Sequence, residues 1–298
     1  MNIVQGRFSP SRKQKRAAFF FLLPSMVILI LFVFWPILNS LWLSFHHWSL
    51  LDATHPYVGL DNYRKLVHDG RFWNAADKTL YFTLGSVPLG IVLSLGLALL
   101  ANEPLRGMGA FKAVYFLPVL TSFAIISIIW SFLLDPDIGL LSYWFKELGL
   151  PSNDWLRSTT WAMPAVIMVA IWKNVGFNMV ILLAGLQSIS PSLYEAARMD
   201  GAGPLQRFWR ITLPSLRQTL LFVVIISVIG SFQVFDQVYV MTRGGPLNST
   251  ETIVYYIYHQ GFELLDMGYA SAIAWMLFVV VLLITLLQLK LFRFNDID

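Results

Sequence analysis

The sequence predicts an all-α, polytopic membrane protein with six transmembrane helices. Hydrophobic side chains make up 57% of its 298 residues and charged side chains only 13%, about half the charged share of an ordinary soluble domain. A helix needs about 20 consecutive apolar residues to cross the hydrocarbon core of a bilayer. Six runs of roughly this length are present, and they are too long and unbroken for the alternating strands of a membrane barrel.

The six predicted spans are separated by polar or turn-rich segments. The first span follows a basic cluster at 12–16, is about twice as long as the apolar part of a signal peptide, and lacks a small-residue cleavage site, so we expect it to be retained. The spans are expected at 17–45, 80–101, 113–134, 161–186, 218–241 and 268–289. Short surface helices broken at Gly70 are expected in the loop before the second span.

Basic residues predict which side of the membrane each loop occupies, because short cytoplasmic loops are enriched in Lys and Arg. With the N-terminus inside, thirteen of these residues fall on the cytoplasmic side and seven on the outer side. Both ends of the chain are therefore expected in the cytoplasm. The net charge of +4 reflects this topology, and without a compact basic patch the sequence does not indicate a nucleic-acid partner.

The motifs of common catalytic sites are absent from the sequence. It contains no GxxxxGK[ST] phosphate loop, no HExxH and no GxSxG. It has no cysteine for thiol chemistry, and its five histidines are scattered over loops, where interfacial positions explain them better than metal ligation. The sequence therefore predicts neither a catalytic residue nor a metal site.

A charged segment at 190–214 separates the fourth and fifth spans. Ser190, followed by proline, and Ser192, followed three residues later by Glu195, are both typical helix starts. The helix is expected to end at Gly201, because glycine permits a left-handed residue there, and Pro204 can begin a second helix.

One face of the first of these helices is expected to be flat. Leu193, Ala196, Ala197 and Asp200 share this face, and the alanines allow the backbone of another protein to approach. The residues alone leave two interpretations open. The segment is either a docking surface or a solvated linker whose arginines follow the charge rule.

The spacing of this segment resembles the EAA loop of ABC importer permeases. EAA at 195–197 is followed after three residues by Gly201, and after nine more by the IxLP pattern at 211–214. In that family the loop is a coupling helix that inserts into a cleft of a separate ATPase subunit. The resemblance implies that ATP and Mg²⁺ are bound by partner ATPases, and that this chain is a permease subunit without a cofactor or an ATPase site of its own.

The same resemblance assigns expected roles within the EAA loop. Glu195 would meet a basic group on the ATPase, as a charge-assisted hydrogen bond. Ala196 and Ala197 would allow close seating, Gly201 would set the angle between the two short helices, and Asp200 would lie on the contacting face.

Two further segments narrow the resemblance. YVGLDNYRKLV at 57–67 and FDQVYVMTRGGPLNST at 235–250, together with the EAA loop, are similar to sugar-uptake permeases related to the maltose and glycerol-3-phosphate importers. Lys78 departs from that pattern, because such permeases often have asparagine at this position, directly before the threonine that is Thr79 here.

This resemblance implies the type I ABC importer transmembrane fold in a bacterial inner membrane. The chain would form half of a translocation path for a sugar, polyol or related solute, in contact with membrane lipid. Its partners would be a second permease subunit, two ATPase subunits and an extracytoplasmic solute-binding protein, and transport would proceed by alternating access.

The predicted organisation has three parts. An N-terminal tail, the first span and an outer loop occupy 1–76. A core of five helices, which contains the EAA loop at 190–214, occupies 77–290. A short cytoplasmic tail occupies 291–298.

Polar side chains within the spans predict the solute path, because ionisable groups are costly in lipid and usually functional there. Gln233, Asp236 and Gln237 of span five are spaced at i, i+3 and i+4 and would share one helical face. Lys173 of span four is expected to approach Gln233 more easily than it approaches Asp236. Amides, carboxylates and aromatic rings suit sugar recognition. The candidates are Gln233, Asp236, Gln237, Asn178, Lys173 and Tyr239.

Three alternatives stay open at this point. The polar side chains would merely tie helices together if the path lies elsewhere. An ion-coupled secondary transporter of a small polar solute would use Lys173 and Asp236 and need no ATPase. A membrane enzyme is the third alternative, although no catalytic constellation supports it.

Overall fold

The computed structural model describes residues 12–52, 54–149 and 154–293, and within these ranges the regular structure is helical. The helices are α1 (Arg12–Leu29), α2 (Trp35–Leu43), α3 (Asp61–His68), α4 (Gly70–Asn102), α5 (Met108–Phe116), α6 (Phe123–Leu133), α7 (Leu140–Glu147), α8 (Ala162–Gln187), α9 (Pro191–Met199), α10 (Pro204–Arg207), α11 (Leu213–Ser215), α12 (Arg217–Phe232), α13 (Ile253–Tyr258) and α14 (Met267–Arg293). Single π-helical turns join several of them, at Ile30–Phe34, Phe208–Thr212, Val238–Thr242 and His259–Glu263.

Four helical segments in the described part of the chain are long and apolar enough to cross a membrane: Phe19–Leu43, Gly70–Asn102, Ala162–Gln187 and Met267–Leu291. Two bent pairs raise the number of spans to six if each pair is one span. Met108–Leu120 and Phe123–Leu133 meet at 100°, and Pro204–Ser215 and Arg217–Phe232 meet at 67°. The all-α membrane fold is confirmed, but the third and fifth spans are not the straight helices that the sequence predicted.

The third span breaks where the chain supplies a new helix start. A short 3₁₀ turn at Leu117–Leu120 ends α5, and its proline at 118 cannot donate a backbone hydrogen bond. Ser122 then caps α6, because its Oγ accepts a hydrogen bond from the Ile125 backbone N–H at 3.4 Å. The predicted continuous helix over 113–134 is therefore wrong.

The fifth span breaks near its end. Helix α12 stops at Phe232, residues 233–235 are not helical, and helical structure resumes at 236–242. The predicted helix over 218–241 is therefore interrupted in its last third. The largely apolar sequence continues through 233–235, but the helical backbone does not.

Helix α4 begins ten residues before the predicted span. Asp69 caps it, and its Oδ1 accepts hydrogen bonds from the backbone N–H groups of Arg71 at 2.9 Å and Phe72 at 3.3 Å. Only α3 is a separate surface helix, so the expectation of further short helices after Gly70 is wrong. The segment after Gly70 is instead the first part of the longest helix, whose Phe72 and Ala75 are buried.

Helices α4 and α8 pack together at the centre of the bundle. The Ser94 hydroxyl of α4 donates a hydrogen bond to the Val175 carbonyl of α8 at 3.1 Å. On the same helix, a methyl group at Gly176 would overlap the Tyr115 carbonyl oxygen, so glycine lets α5 cross α8 at backbone contact. This crossing places the break in the third span beside the middle of α8.

The two ends of the bundle differ in what they carry. The EAA end contains residues 188–216, which pack through Ile189, Tyr194 and Leu216 against the end of α4 at Ala98 and Ala101. The far end contains α3, α7 and α13. There α3 is joined to the start of α14 by an ion pair between Lys65 and Asp266 at 3.1 Å.

A buried ion pair anchors the loop before α13 at the far end. The Glu251 carboxylate is fully buried and accepts hydrogen bonds from Arg71 Nε at 2.9 Å and Nη2 at 2.8 Å. The Ile253 backbone N–H donates to Thr79 Oγ1 at 2.9 Å. The start of α4 therefore holds this loop through both a charged pair and a backbone contact.

Asp69 is a second anchor between these elements. Its carboxylate accepts hydrogen bonds from the hydroxyl groups of Tyr256 and Tyr269. Burial raises the pKa of Asp69, but the hydrogen bonds from the two tyrosines and from the backbone N–H groups of Phe72 and Arg71 outweigh it, so the pKa lies below its ordinary value. This contact therefore stabilises the fold above the unfolded-state pKa and is lost as the pH falls through the folded-state pKa.

Removing the arginine of the buried pair is expected to destabilise the far end. In Arg71→Ala the Glu251 carboxylate stays buried without its partner, and such a change costs about 3–5 kcal/mol. The midpoint of thermal unfolding in detergent should fall accordingly. Arg64→Ala is the matched control, because Arg64 pairs at 3.0 Å with Asp61 on an exposed surface and such pairs contribute little. Equal losses in both variants would contradict this account.

Candidate functional site

The EAA loop is a helix, a tight turn and a second helix. At the end of α9, the Ala202 N–H donates to the Ala197 carbonyl at 2.8 Å and the Gly201 N–H to the Arg198 carbonyl at 3.0 Å. This is the Schellman arrangement of a helix end. Gly201 has a φ of +75°, which other residues rarely adopt. The predicted helix end at Gly201 and the second start at Pro204 are confirmed.

The outward surface of this loop is open. Glu195, Ala196 and Asp200 are exposed and Ala197 is half-buried. Two apolar side chains beside the turn are strongly exposed, Met199 at 89% and Leu205 at 72%. The loop thus presents a carboxylate, small side chains and apolar side chains on one uncovered surface.

The inner side of the loop is braced. The Tyr194 hydroxyl and Thr212 Oγ1 are hydrogen-bonded at 2.9 Å, and Thr212 is buried. This contact ties α9 to the π-helical turn that leads into α12. The two short helices of the loop are therefore held together on their inner side.

A polar cavity of about 340 Å³ lies at the middle of the bundle, between α4, α8, α12 and the break in the fifth span. Asn174, about 18 Å along α8 from Ala162 at 1.5 Å per residue, marks its depth. Four aromatic rings, of Phe82, Phe123, Phe177 and Phe235, border the polar groups. The polar lining residues are Ser86, Asn174, Asn178, Ser227, Ser231, Gln233, Asp236 and Gln237.

The break in the fifth span brings three predicted residues into this cavity. Gln233, Asp236 and Gln237 all line it, but the helical-face argument for them is wrong, because residues 233–235 are not helical. Gln237 is buried, whereas Gln233 and Asp236 are exposed. The carboxylate and one amide therefore point to the open side of the cavity.

Asn178 of α8 joins the same cavity. Its side-chain N–H donates a hydrogen bond to Ser227 Oγ on α12 at 3.3 Å. Nearby, Ser231 Oγ donates to Thr83 Oγ1 of α4 at 3.0 Å. These hydrogen bonds thus hold α4, α8 and α12 together. Asn178, Ser227 and Ser231 also line the cavity.

Lys173 lies apart from the cavity. Its Nζ is 3.5 Å from the Val119 carbonyl oxygen and 4.3 Å from the centre of the Phe123 ring. The expected approach of Lys173 to Gln233 is wrong. A buried ammonium is instead held at the break of the third span, where the 3₁₀ turn ends and its carbonyls are free to accept.

Tyr239 also lies outside the lining of the cavity. It is one helical turn beyond Phe235, and the two rings stack with their centres 5.3 Å apart. Sequence reasoning missed Phe123, Ser227 and Ser231. The two serines within an apolar helix were a usable signal, but Phe123 reaches the cavity only through the unpredicted bend.

The side chain of Asp236 makes no hydrogen bond or ion pair within residues 12–52, 54–149 and 154–293. The described residues also contain no group of three or more His, Cys, Asp or Glu side chains placed to hold a metal ion. The cavity therefore offers amide groups and one carboxylate as hydrogen-bonding groups.

A family profile accounts for most of the chain. Residues 70–294 match the family described as "Binding-protein-dependent transport system inner membrane component". The chain belongs to this family. It is a permease subunit of an ABC transporter, and the family match begins at the first residue of α4.

Two curated relatives cover nearly the whole permease. A probable ABC transporter permease protein of Bacillus subtilis is 34% identical over 94% of this chain and 97% of its own length. The permease protein of the trehalose/maltose transport system of Thermococcus litoralis is 34% identical over 95% of this chain and 96% of its own length.

The fold also matches a solved transporter. A chain of a bacterial ABC transporter involved in the import of the acidic polysaccharide alginate superposes with a TM-score of 0.85 and 27% identity, and the match covers 95% of the permease and 97% of that chain. The expected importer fold is therefore confirmed.

Replacing the amides of the cavity is expected to impair transport without preventing assembly. Gln233→Ala and Gln237→Ala each remove a hydrogen-bonding group, which costs about 1–3 kcal/mol when the partner is polar, so uptake should fall about 5- to 150-fold. Uptake by vesicles containing the complete transporter measures this effect.

Gln187→Ala, at the exposed end of α8 and outside both the cavity and the EAA loop, is the control for changes of the same side chain. Co-purification of the partner subunits shows whether each variant assembles. Two results together would contradict this account: normal uptake by both cavity variants, and no reaction of cysteines placed at 233 and 237 with water-soluble reagents. The polar lining would then serve only to pack the helices.

Proposed function

We propose that the permease forms half of the translocation path for a sugar, polyol or related solute in a binding-protein-dependent ABC importer. One observation carries this proposal. Asn174, Gln233 and Asp236 line a cavity halfway along the spans and are exposed on its open side. Such groups are costly against lipid, so a second protein surface and water must face them.

A second permease subunit is the partner that we propose for this open side. Two related permeases would then enclose one path between them, and each would contribute polar groups. The solved alginate transporter was crystallised in complex with a periplasmic protein bound to an alginate pentasaccharide, and its chain is 27% identical to the permease with a TM-score of 0.82 over 93% of both chains. We propose a similar extracytoplasmic solute-binding protein here.

The energy for transport is proposed to come from two partner ATPase subunits, which bind ATP and Mg²⁺. The exposed EAA loop supports this assignment, because it offers Glu195, two alanines, Met199 and Leu205 as one uncovered surface. Glu195 would form a charge-assisted hydrogen bond with a basic group of the ATPase. The sequence has no phosphate loop of its own.

Alternating access is the mechanism that we propose, and the two bent helix pairs support it. Helix pairs bent by 100° and 67° can change angle at short non-helical segments, which are the usual hinges of such movements. The 67° bend lies between the EAA loop and α12. Movement of the ATPases would therefore rotate α12 and open the cavity to one side or the other.

The ion-coupled alternative is not favoured. The family match is to a binding-protein-dependent system, and of the two residues this alternative would use, Lys173 contacts Val119 and Phe123 while only Asp236 lines the cavity. ATP-dependent uptake by vesicles that contain the permease, its partner subunits and the binding protein tests the proposal. Uptake that follows a proton or sodium gradient without ATP would overturn it.

The EAA end is proposed to face the cytoplasm, with both ends of the chain on that side of a bacterial inner membrane. A reporter that works only in the cytoplasm should then be active when it is fused after Gln206. A reporter that works only outside the cytoplasm should be active when it is fused after Leu148 or Leu264, both at the far end. Protease protection in inverted vesicles gives an independent readout, and the opposite pattern would reverse the membrane orientation.

The turn at Gly201 is expected to be essential for coupling. Gly201→Val forces a β-branched residue to φ +75°, a conformation that costs about 1–2 kcal/mol or more for a non-glycine residue. The glycine has open space around it, so backbone strain is the cause of the effect. We expect loss of ATPase association and of uptake, with the protein still inserted.

Gly203→Ala is the matched control for this turn. Gly203 also has open space around it, but its φ of −70° suits any residue. Glu195→Ala should weaken association without changing the turn. Normal ATPase binding by Gly201→Val and Glu195→Ala would show that the EAA loop is a solvated linker.

A further inference from the structure

Four aromatic rings form a continuous row at the far end of the permease. The ring centres are 5.3 Å apart between Phe235 and Tyr239, 5.2 Å apart between Tyr239 and Tyr258, and 5.5 Å apart between Tyr258 and Phe262. Each ring is in contact with the next. We call this row the aromatic track.

The aromatic track connects the cavity with the surface. Phe235, at one end, lines the cavity beside Gln233 and Asp236. Tyr239 is 38% exposed and Phe262, at the other end, is 61% exposed. The aromatic track therefore extends, ring against ring, from the cavity to an exposed side chain at the far end.

Two separate parts of the chain build the aromatic track. Phe235 and Tyr239 are four residues apart across the resumed helix of the fifth span. Tyr258 and Phe262 are four residues apart across the end of α13 and the π-helical turn after it. The buried ring of Tyr255 packs behind them, with its centre 6.5 Å from Phe235, 6.4 Å from Tyr239 and 6.4 Å from Tyr258.

Aromatic side chains are also common at membrane interfaces, where they anchor helices singly or in belts. The aromatic track differs from such a belt, because its rings pack on one another in a line and end at a polar cavity. Trp144 and Tyr143 of α7 are a useful contrast. Their rings lie 6.0 Å apart at the far end, but neither residue lines the cavity.

We propose that the aromatic track binds the pyranose ring of a saccharide and guides it from the far end into the cavity. This inference rests on the proposed function and adds the chemical class of the solute. The electron-rich faces of aromatic rings contact apolar surface and positively polarised edges, and the C–H groups on one face of a pyranose present both.

Polar groups at the two ends of the aromatic track complement the rings. Asp236 and Gln237 follow Phe235 in the chain and line the cavity. Glu263 follows Phe262 and is exposed, with its Oε2 3.6 Å from His259 Nε2. These groups accept or donate hydrogen bonds with sugar hydroxyls at either end. An acyclic polyol shares the hydroxyls but lacks the flat C–H face, so it gains little from the rings.

The test is transport by the complete importer reconstituted with its ATPases, partner permease and solute-binding protein. The probes are the pyranosides maltose, trehalose and glucose, and the acyclic solutes mannitol and glycerol 3-phosphate. We expect uptake of at least one pyranoside. Tyr258→Leu and Phe262→Leu should each slow its maximal uptake about two- to tenfold, the factor that corresponds to one aromatic contact.

Three controls separate the aromatic surface from other effects. Trp144→Leu, on α7 and outside the aromatic track, should keep the rate. Capture of the loaded binding protein by the immobilised importer should be equal in all variants. Each variant should also match the wild type in yield and thermal midpoint.

Four outcomes would overturn the inference. They are uptake of acyclic solutes only, unchanged pyranoside uptake in both leucine variants, equal slowing in Trp144→Leu, and loss of binding-protein capture that accounts for the slower uptake. The last of these would make the aromatic track a protein contact. Absence of ATP-dependent uptake of every solute would instead contradict the proposed function and the inference together.

Discussion

A helix that breaks inside a membrane frees backbone groups, and lipid cannot satisfy them. In this permease the break at residues 233–235 frees the Val234 carbonyl, and the Thr252 hydroxyl donates a hydrogen bond to it at 3.1 Å. Thr252 is fully buried. This contact replaces a helical hydrogen bond at the edge of the cavity.

The same contact joins the cavity to the far end of the bundle. Thr252 is followed by the residue whose N–H binds Thr79 and preceded by Glu251, which pairs with Arg71. The start of α4 therefore positions the hydroxyl that supports the broken span. At the EAA end, Tyr194 and Thr212 brace the short helices that lead into α12. The break thus lies just after α12, between the Thr252 contact at the far end and the braced EAA end.

The helices and the EAA loop could be predicted from the sequence because their signals are local. Length and apolarity indicate spans, and proline, serine and glycine at fixed positions indicate the start of α9, its end at Gly201 and the start of α10. These signals act over four or five residues. No partner from elsewhere in the chain is needed to interpret them.

The breaks within the spans could not be predicted in this way. Only one of residues 233–235 is polar and the residues before them are mostly apolar, so a hydropathy window of about 19 residues averages over the break. The break depends on Thr252, which is 18 residues away in the chain. Lys173 illustrates the same limit, because its contacts with Val119 and Phe123 arise only after the third span bends.

The cavity residues could be predicted from their side-chain type, but their arrangement in space could not. Asn178, Gln233, Asp236 and Gln237 are polar side chains in an apolar setting, which is a signal in any sequence. Their convergence comes from the crossing of α8 by α5 at Gly176 and from the end of α12 at Phe232. Both features depend on tertiary packing.

A structure of the complete importer, trapped with its transported solute and with ATPases that bind but do not hydrolyse ATP, tests the central claim most directly. The account predicts that the solute contacts Gln233 and Asn178 in the cavity while the EAA loop is seated in an ATPase. A cavity filled by lipid or by apolar side chains of the partner permease, with the solute elsewhere, would contradict it.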